Sequence, residues 1–432
     1  MKDLIQELQE RVFLYDGAKG VMLQERGLQA GEACEAWNIN RKEDVKGIHR
    51  AYVDAGSDVI QTNTFPGNRI SLEKFGLGDK TYDINYEGVK LAREEAGEGC
   101  YVAASVGPTG RMMAPMGDLS FEEAYAVFRE QLQAIQDAGA DCVHFETFTD
   151  LAEMRAAILA ARENTRLPII ASMTYEGGGR TLTGAPPEAA ALVCRSLGAD
   201  LVGVNCSMGP EGLVPIIEKI HGVVKGPLMV KANAGLPELV DGKPVFKETP
   251  EHFASFAPAF IQRGVRLIGG CCGTHPGFIR RLKEAVQEIA VAPLEDKPVP
   301  AIASPYGILS LDDNEPHLVG ILPLDRETSQ TLLEVAREQV LRGAEAICLD
   351  FGEGGEDLNV DEIISHFSVF IKVPVLFKGE DPAVLERFLR IYPGRAGVIL
   401  EGAEQDGQVN IAGKYGAVVV PVNFLSENSL ED

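Results

Sequence analysis

The chain has 432 residues, with 40 basic against 64 acidic side chains and a formal net charge of −24. That length exceeds one ordinary domain and suits one large barrel with a smaller companion. A field of that sign disfavours nucleic acid and anionic membrane surfaces as partners, and no apolar run reaches the roughly 20 residues of a bilayer helix.

The opening MKDLIQELQERVFLYDG lacks a basic n-region, an apolar h-region and a small-residue cleavage site. It reads as a short helix leading into a strand, and cytoplasmic residence is the simple inference. Strand-sized apolar runs follow at 12–18, 58–65, 102–108, 142–148, 168–175, 201–207, 228–235 and 265–273. Amphipathic helical stretches such as 121–140 and 211–223 lie between them, with apolar residues at i, i+3, i+4 and i+7. Gly56, Gly139, Gly198 and Gly264 stand where helices should stop before the next strand.

Eight strands alternating with helices predict an α/β fold, a (β/α)8 TIM barrel over 1–292. An open doubly wound sheet would want a Gly-rich phosphate turn after the first strand, and DGAKGV matches G-x-G-x-x-G poorly. The unusual polar residues also fall where strands end: Asp16, Asn63, Thr64, Glu146, Thr147, Asn205, Cys206, Asn233, Cys271 and Cys272. In such barrels the carboxyl ends of the strands carry the active site, so these residues should converge on one mouth.

Eight cysteines in a chain of this size do not read as a secreted disulfide framework. Cys34, Cys100, Cys142, Cys194 and Cys348 are scattered and read as small apolar residues. Cys206, Cys271 and Cys272 differ, because strands six and eight are near neighbours around the ring. Three thiolates can hold zinc and leave a fourth position for an incoming thiol, whose proton the metal displaces. Taken alone, Cys271–Cys272 also reads as a chance pair or a redox-active vicinal pair. The glycines in GGCCG (269–273) would permit the irregular backbone that two adjacent ligands need.

The segments DGAKG (16–20), QTNTF (61–65), VGPTG (106–110), FETF (145–148), SMTY (172–175), RTLTG (180–184), VNCSMGPE (204–211), KANAGLP (231–237) and GGCCGTHP (269–276) resemble the zinc-dependent homocysteine S-methyltransferases. Within that family they look most like the homocysteine-binding module of cobalamin-dependent methionine synthase. The resemblance implies Cys206, Cys271 and Cys272 as the zinc ligands, with homocysteine sulfur taking the open position and attacking an electrophilic methyl. It further implies Asp16 and Glu146 near the substrate ammonium, and Asn233 near the zinc as an occupant of the open position when substrate is absent. A turn residue, a barrel ion pair and a loop cap are the respective structural alternatives. Asn63, Thr64, Ser105 and Thr147 would hydrogen-bond the amino acid or satisfy backbone. One departure is Gly20-Val21, where the family usually has Gly-Thr, which would alter the substrate carboxylate pocket.

A Pro- and Ala-rich linker is expected at 293–305, followed by five more strands at 318–324, 346–352, 373–379, 397–403 and 417–423. The stretch 306–432 weakly resembles the first part of a pterin-binding barrel. It has LDFG in place of an Asp-Val-Asn turn and Lys378 in place of a strand-end Asp. Five strands cannot close a ring, so the reading is a truncated, non-folate-binding α/β domain. Its sheet would be covered by helices and by the barrel or another subunit, which admits a homo-oligomer. EPHLVG (315–320) imitates the D-x-H-x-x-G that gives histidine to a corrinoid cobalt, but it lacks the Asp and is read as coincidence.

The expected function is therefore methyl transfer to homocysteine, giving methionine, with Zn2+ as cofactor and the methyl group supplied in trans by a separate methyl-corrinoid protein. S-methylmethionine or another donor, another thiol, and a non-catalytic thiol- or metal-binding assembly subunit are the alternatives. An aldolase-type barrel would want a Schiff-base lysine, for which Lys231 is the candidate.

Overall fold

The computed structural model describes residues 4–421 and 424, except 237, 241–242, 288, 295–298, 312–316, 325–328 and 401–404. Seven parallel strands come first: β1 (Phe13–Leu14), β2 (Val59–Gln61), β3 (Tyr101–Val106), β4 (Cys142–Phe148), β5 (Ile169–Met173), β6 (Leu201–Asn205) and β7 (Leu228–Ala232). A short antiparallel hairpin, β8 (Glu238–Val240) and β9 (Lys243–Val245), precedes the eighth barrel strand, β10 (Val265–Gly270). The sequence reading has no counterpart for that hairpin.

The barrel sheet runs β1-β10-β7-β6-β5-β4-β3-β2, every pair parallel. A bridge from Tyr15 to Val59 closes it, through Asp58 N–H to Leu14 O at 2.8 Å and Asp16 N–H to Val59 O at 3.0 Å. The expected eight-stranded barrel is thus present. Its strands are buried on both faces, as a parallel sheet under helices requires. Inward residues Phe13, Tyr15, Val59, Tyr101, Cys142, Ile170, Leu201, Met229 and Leu267 form one cluster. The amino-terminal turn adds Leu4 and Leu8 to it and so plugs one end of the barrel. Outward residues pack against the helices.

The helices stop where the sequence places their glycines. Gly56, Gly139, Gly198 and Gly264 all have φ between 82° and 99°, the left-handed region that a side chain resists. At the other end of the 121–138 helix, Ser120 Oγ accepts the Glu123 N–H at 3.2 Å.

Beyond the barrel, β11 (Ala301–Ser304) and β12 (Gly307–Ser310) form an antiparallel hairpin. Part of the expected linker is therefore a buried strand. A parallel five-stranded sheet follows in sequential order: β13 (Val319–Pro323), β14 (Ala346–Gly352), β15 (Val375–Gly379), β16 (Gly397–Leu400) and β17 (Val418–Val420). Residues 401–403 and 422–423 of the expected strands lie outside the described residues. Alternation decides what covers each face. Ile347 and Leu349 face helices that carry Phe367, Leu385 and Phe388. Ala346 and Cys348 face the other way, into a cluster with Ile302, Leu376 and Ile399. The chain's own β11–β12 hairpin thus covers the face for which the sequence left the barrel or another subunit as candidates.

That hairpin also packs against the barrel helix Pro187–Ser196. A second joint is Arg155, on the barrel helix Leu151–Asn164. It is 1% exposed and donates to the carbonyls of Arg390 at 2.8 Å, Gly394 at 3.3 Å and Leu389. Burial pushes its pKa down to about 9. Arg390 in turn pairs with Glu122 at 2.7 Å and Glu163 at 3.3 Å. His317 of EPHLVG lies just before β13, 3.2 Å from a Glu345 carboxylate oxygen and beside the Phe424 ring; residues 315–316 lie outside the described residues.

Candidate active site

The carboxyl ends of β6 and β10 flank β7, so the sequence positions 206, 271 and 272 meet across one strand. Cys206 follows β6 with φ 66°, and Ser207 continues with φ 61°. A side chain there costs roughly 1–3 kcal/mol per residue, and the turn directs Cys206 back over the mouth. Backbone bonds hold it: Cys206 N–H to Lys231 O at 3.0 Å and Met208 N–H to Cys206 O at 2.8 Å. Cys271 N–H extends the β7 ladder to Ala232 O at 2.7 Å, and Cys272 O accepts from Ala234 N–H at 2.8 Å. Between β10 and this turn a Cβ on Gly270 would lie 2.2 Å from Thr274 Oγ1. Gly273 leaves the turn at φ 80°. The glycines of GGCCG therefore serve close approach and backbone reversal.

The three sulfurs all lie within 4.8 Å of one another, with Cys206 Sγ and Cys272 Sγ 3.8 Å apart. Ligands on a tetrahedral zinc, each at about 2.3 Å, are separated by about 3.8 Å, so the donor set fits that ion. S–H groups of Cys271 and Cys272 directed at Cys206 push its pKa well below the ordinary thiol value, while the same sharing pushes both partners up. Asn233 lies close enough to Cys206 to add to the lowering of its pKa, and its own Oδ1 is buried with no hydrogen-bond partner among the described residues. A buried amide oxygen left open on a residue next to Cys206 suits a cation.

Behind Cys271 runs a buried polar chain. Asn205 Nδ2 lies 3.9 Å from Cys271 Sγ and donates to Thr147 Oγ1 at 2.8 Å. Asn205 Oδ1 accepts from Ser172 Oγ at 2.7 Å and from the Thr147 N–H at 2.9 Å. Ser172 meets His144 at 2.9 Å, and His144 meets Tyr15 at 3.1 Å. Burial holds His144 neutral. Thr147 sits at φ 63°, strained for a β-branched residue.

The sulfurs open into a cavity of about 310 Å³, whose lining includes Gly20, Lys19, Glu35, Gln61, Asn63, Thr64, Ser105, Glu146 and Lys231. Glu146 Oε1 accepts from Gln61 Nε2 and Ser105 Oγ. Burial raises its pKa, against the pull of Lys231. Asn63 spends its amide N–H groups on Cys34 O at 2.8 Å and Asn38 Oδ1 at 3.0 Å. Thr64 donates to Ser105 O at 2.7 Å. Both are wall residues with committed donors.

Asp16 lies beneath the cavity, fully buried. Its oxygens meet Lys19 Nζ at 2.8 Å, Lys231 Nζ at 3.4 Å and the Gln61 N–H at 2.9 Å. Burial acts to raise its pKa, but the two lysines outweigh burial and hold it below the ordinary value. Lys231 also donates to Gln61 Oε1 and stands 4.1 Å from the Tyr15 ring centroid. It belongs to an ion-pair network. Val21 is 39% exposed and absent from the cavity lining. Gly20 of the Gly20-Val21 pair does line it.

Sequence reasoning singles out the sulfurs, Glu146, Asn63, Thr64 and Ser105 of this lining, passes over Gln61, Lys19 and Glu35, and reads Cys34 as a small apolar residue. Gln61 was within its reach, as the last residue of β2. Glu35 sits on a short 3-10 turn, Cys34–Ala36, outside the strand-end pattern, and accepts the Cys34 S–H at 2.8 Å. Cys34 thus borders the cavity, whereas Cys100, Cys142, Cys194 and Cys348 are buried as expected.

Over residues 13–286 the chain matches the family model described as homocysteine S-methyltransferase. It is similar to methionine synthase of Mycobacterium tuberculosis, 29% identical over 465 aligned positions that take in 98% of this chain and 39% of that protein. The Mycobacterium leprae methionine synthase is 28% identical with the same coverage. The chain thus spans about two-fifths of the length of these relatives. Among solved structures, the metallated Escherichia coli homocysteine methyltransferase MmuM superposes with TM-score 0.56 at 24% identity, over 64% of this chain and 96% of that one. Its oxidized form gives 0.55 at 24% identity, over 66% and 98%. These likenesses show the barrel fold. With the family match covering most of the barrel, the chain belongs to the homocysteine S-methyltransferase family.

Proposed function

We propose that Cys206, Cys271 and Cys272 hold one zinc ion and that homocysteine binds with its sulfur beside them. The single observation that carries this reading is the meeting of three sulfurs within 4.8 Å at the mouth of the barrel. When bound, zinc makes an incoming thiol acidic enough to be a thiolate at neutral pH. With zinc bound, Asn233 Oδ1, buried and unpartnered among the described residues, would be available as a neutral fourth donor, a weaker ligand than a thiolate.

The protein's own groups orient the amino acid. Glu146 offers a carboxylate oxygen to the ammonium while Gln61 and Ser105 fix the other. Asn63 and Thr64 shape the wall, and Asp16 acts through the lysines that it holds. The homocysteine sulfur forms a bond to an electrophilic methyl carbon; the bond from that carbon to its carrier breaks, and the carrier keeps the electron pair. Products are methionine and the demethylated carrier. The donor in this reading is a methyl-corrinoid protein acting in trans, in keeping with the resemblance to methionine synthases.

A methionine-formation assay tests this, with homocysteine and, in separate arms, a methylcobalamin-loaded corrinoid protein or S-methylmethionine. Turnover in the corrinoid arm is the expected result. Turnover in the sulfonium arm alone would replace the donor, and no turnover in either would overturn the reading.

A further inference from the structure

The two lysines around Asp16 are not equivalent. Lys231 is 2% exposed and has Asp16, Gln61 Oε1 and the Tyr15 ring as partners. Lys19 retains 12% exposure, lines the cavity, and has Asp16 Oδ2 as its one hydrogen-bond acceptor among the described residues. An ammonium carries three donors, so Lys19 keeps two for whatever enters. Its position is fixed from below by a fully buried carboxylate. Glu146 lines the same cavity, near enough that each charge acts on the other. A cation and an anion facing one space, with a sulfur site beyond them, match an α-amino acid thiol in its zwitterionic form.

We infer that Lys19 is a specificity-determining residue that binds the carboxylate of the amino-acid substrate, and that Asp16 positions it. This rests on the homocysteine reading of the same site. The consequence is selection: thiols that carry an ammonium but no carboxylate should bind poorly, because Lys19 would be left facing an apolar carbon.

The experiment is calorimetric titration of the zinc-loaded full chain with L-homocysteine and with 3-aminopropane-1-thiol, the same molecule without its carboxylate. Wild type should prefer homocysteine by about tenfold or more. Lys19→Met should weaken homocysteine by about tenfold while moving the aminothiol by less than about twofold, and Lys19→Arg should retain most of the preference. Should Lys19→Met fold poorly, Lys19→Gln makes the same test with a polar side chain of similar length. Equal weakening of both thiols, or an unchanged preference, overturns the role of Lys19 alone. Binding of neither thiol to wild type overturns the homocysteine reading and this assignment with it.

Discussion

At the mouth of the barrel, side chains keep bonding capacity to spare: three thiols within 4.8 Å, a buried Asn233 Oδ1 and the cavity-lining Lys19, the last two with no partner and one acceptor, respectively, among the described residues. At the carboxyl end of the five-stranded sheet, the same kinds of residue have consumed each other. Asp350, at the end of β14, meets Lys378 of β15 at 2.8 Å and caps the Gly352 N–H at 3.0 Å. Gln408 spends its amide on the carbonyls of Gly379 and Glu380, both at 3.1 Å. Both regions are parallel βα sheets with polar strand ends. The difference lies in closure: eight strands gather their ends around a cavity, whereas five leave theirs to pair off sideways. Chemistry resides where the fold holds a polar group without satisfying it.

Cutting the joint between the two regions should give the largest change in stability. Arg155→Ala strands three carbonyls at a buried contact and should cost on the order of 3 kcal/mol. Denaturant unfolding reads this, and homocysteine affinity should stay within about twofold. A large loss of affinity at unchanged stability would mean that the sheet acts on the mouth.

At the mouth itself, Glu146→Gln should lower homocysteine affinity by roughly 10- to 100-fold, as expected for losing one charge-assisted partner. Burial raises the Glu146 pKa above the ordinary carboxylate value. Wild-type affinity is therefore full above that raised pKa and falls as pH drops through it. Calorimetric titration over a descending pH series should show this acidic limb in wild type and not in the variant. The smallest effect belongs to the sheet end. Asp350→Asn with Lys378→Met should change stability by under about 1 kcal/mol, since the pair is partly exposed, and should leave thiol binding unaltered. A loss of binding there would erase the contrast between the two regions.

Much of this was legible in the chain. Alternating apolar runs and helix-stopping glycines gave the barrel, and the strand-end rule brought Cys206 to Cys271 and Cys272. What stayed hidden depends on partners rather than on position. Asp16 reads as a carboxylate at a mouth, and only the structure shows that Lys19 and Lys231 have claimed it. Lys231 resembles a lone strand-end lysine until Gln61 and Tyr15 are placed beside it. Glu35 and Cys34 reach the cavity from a 3-10 turn, where neither helical nor strand periodicity applies. The β11–β12 hairpin escaped because a Pro- and Ala-rich stretch reads as linker, although Ile302 supplies the apolar side chain that covers the second sheet.

The central claim concerns the metal. Elemental analysis of the full chain purified without chelator should find about one zinc per chain, and Cys272→Ala should abolish it at unchanged secondary structure. A wild type that is metal-free, or a Cys272→Ala variant that keeps its zinc, would contradict the account.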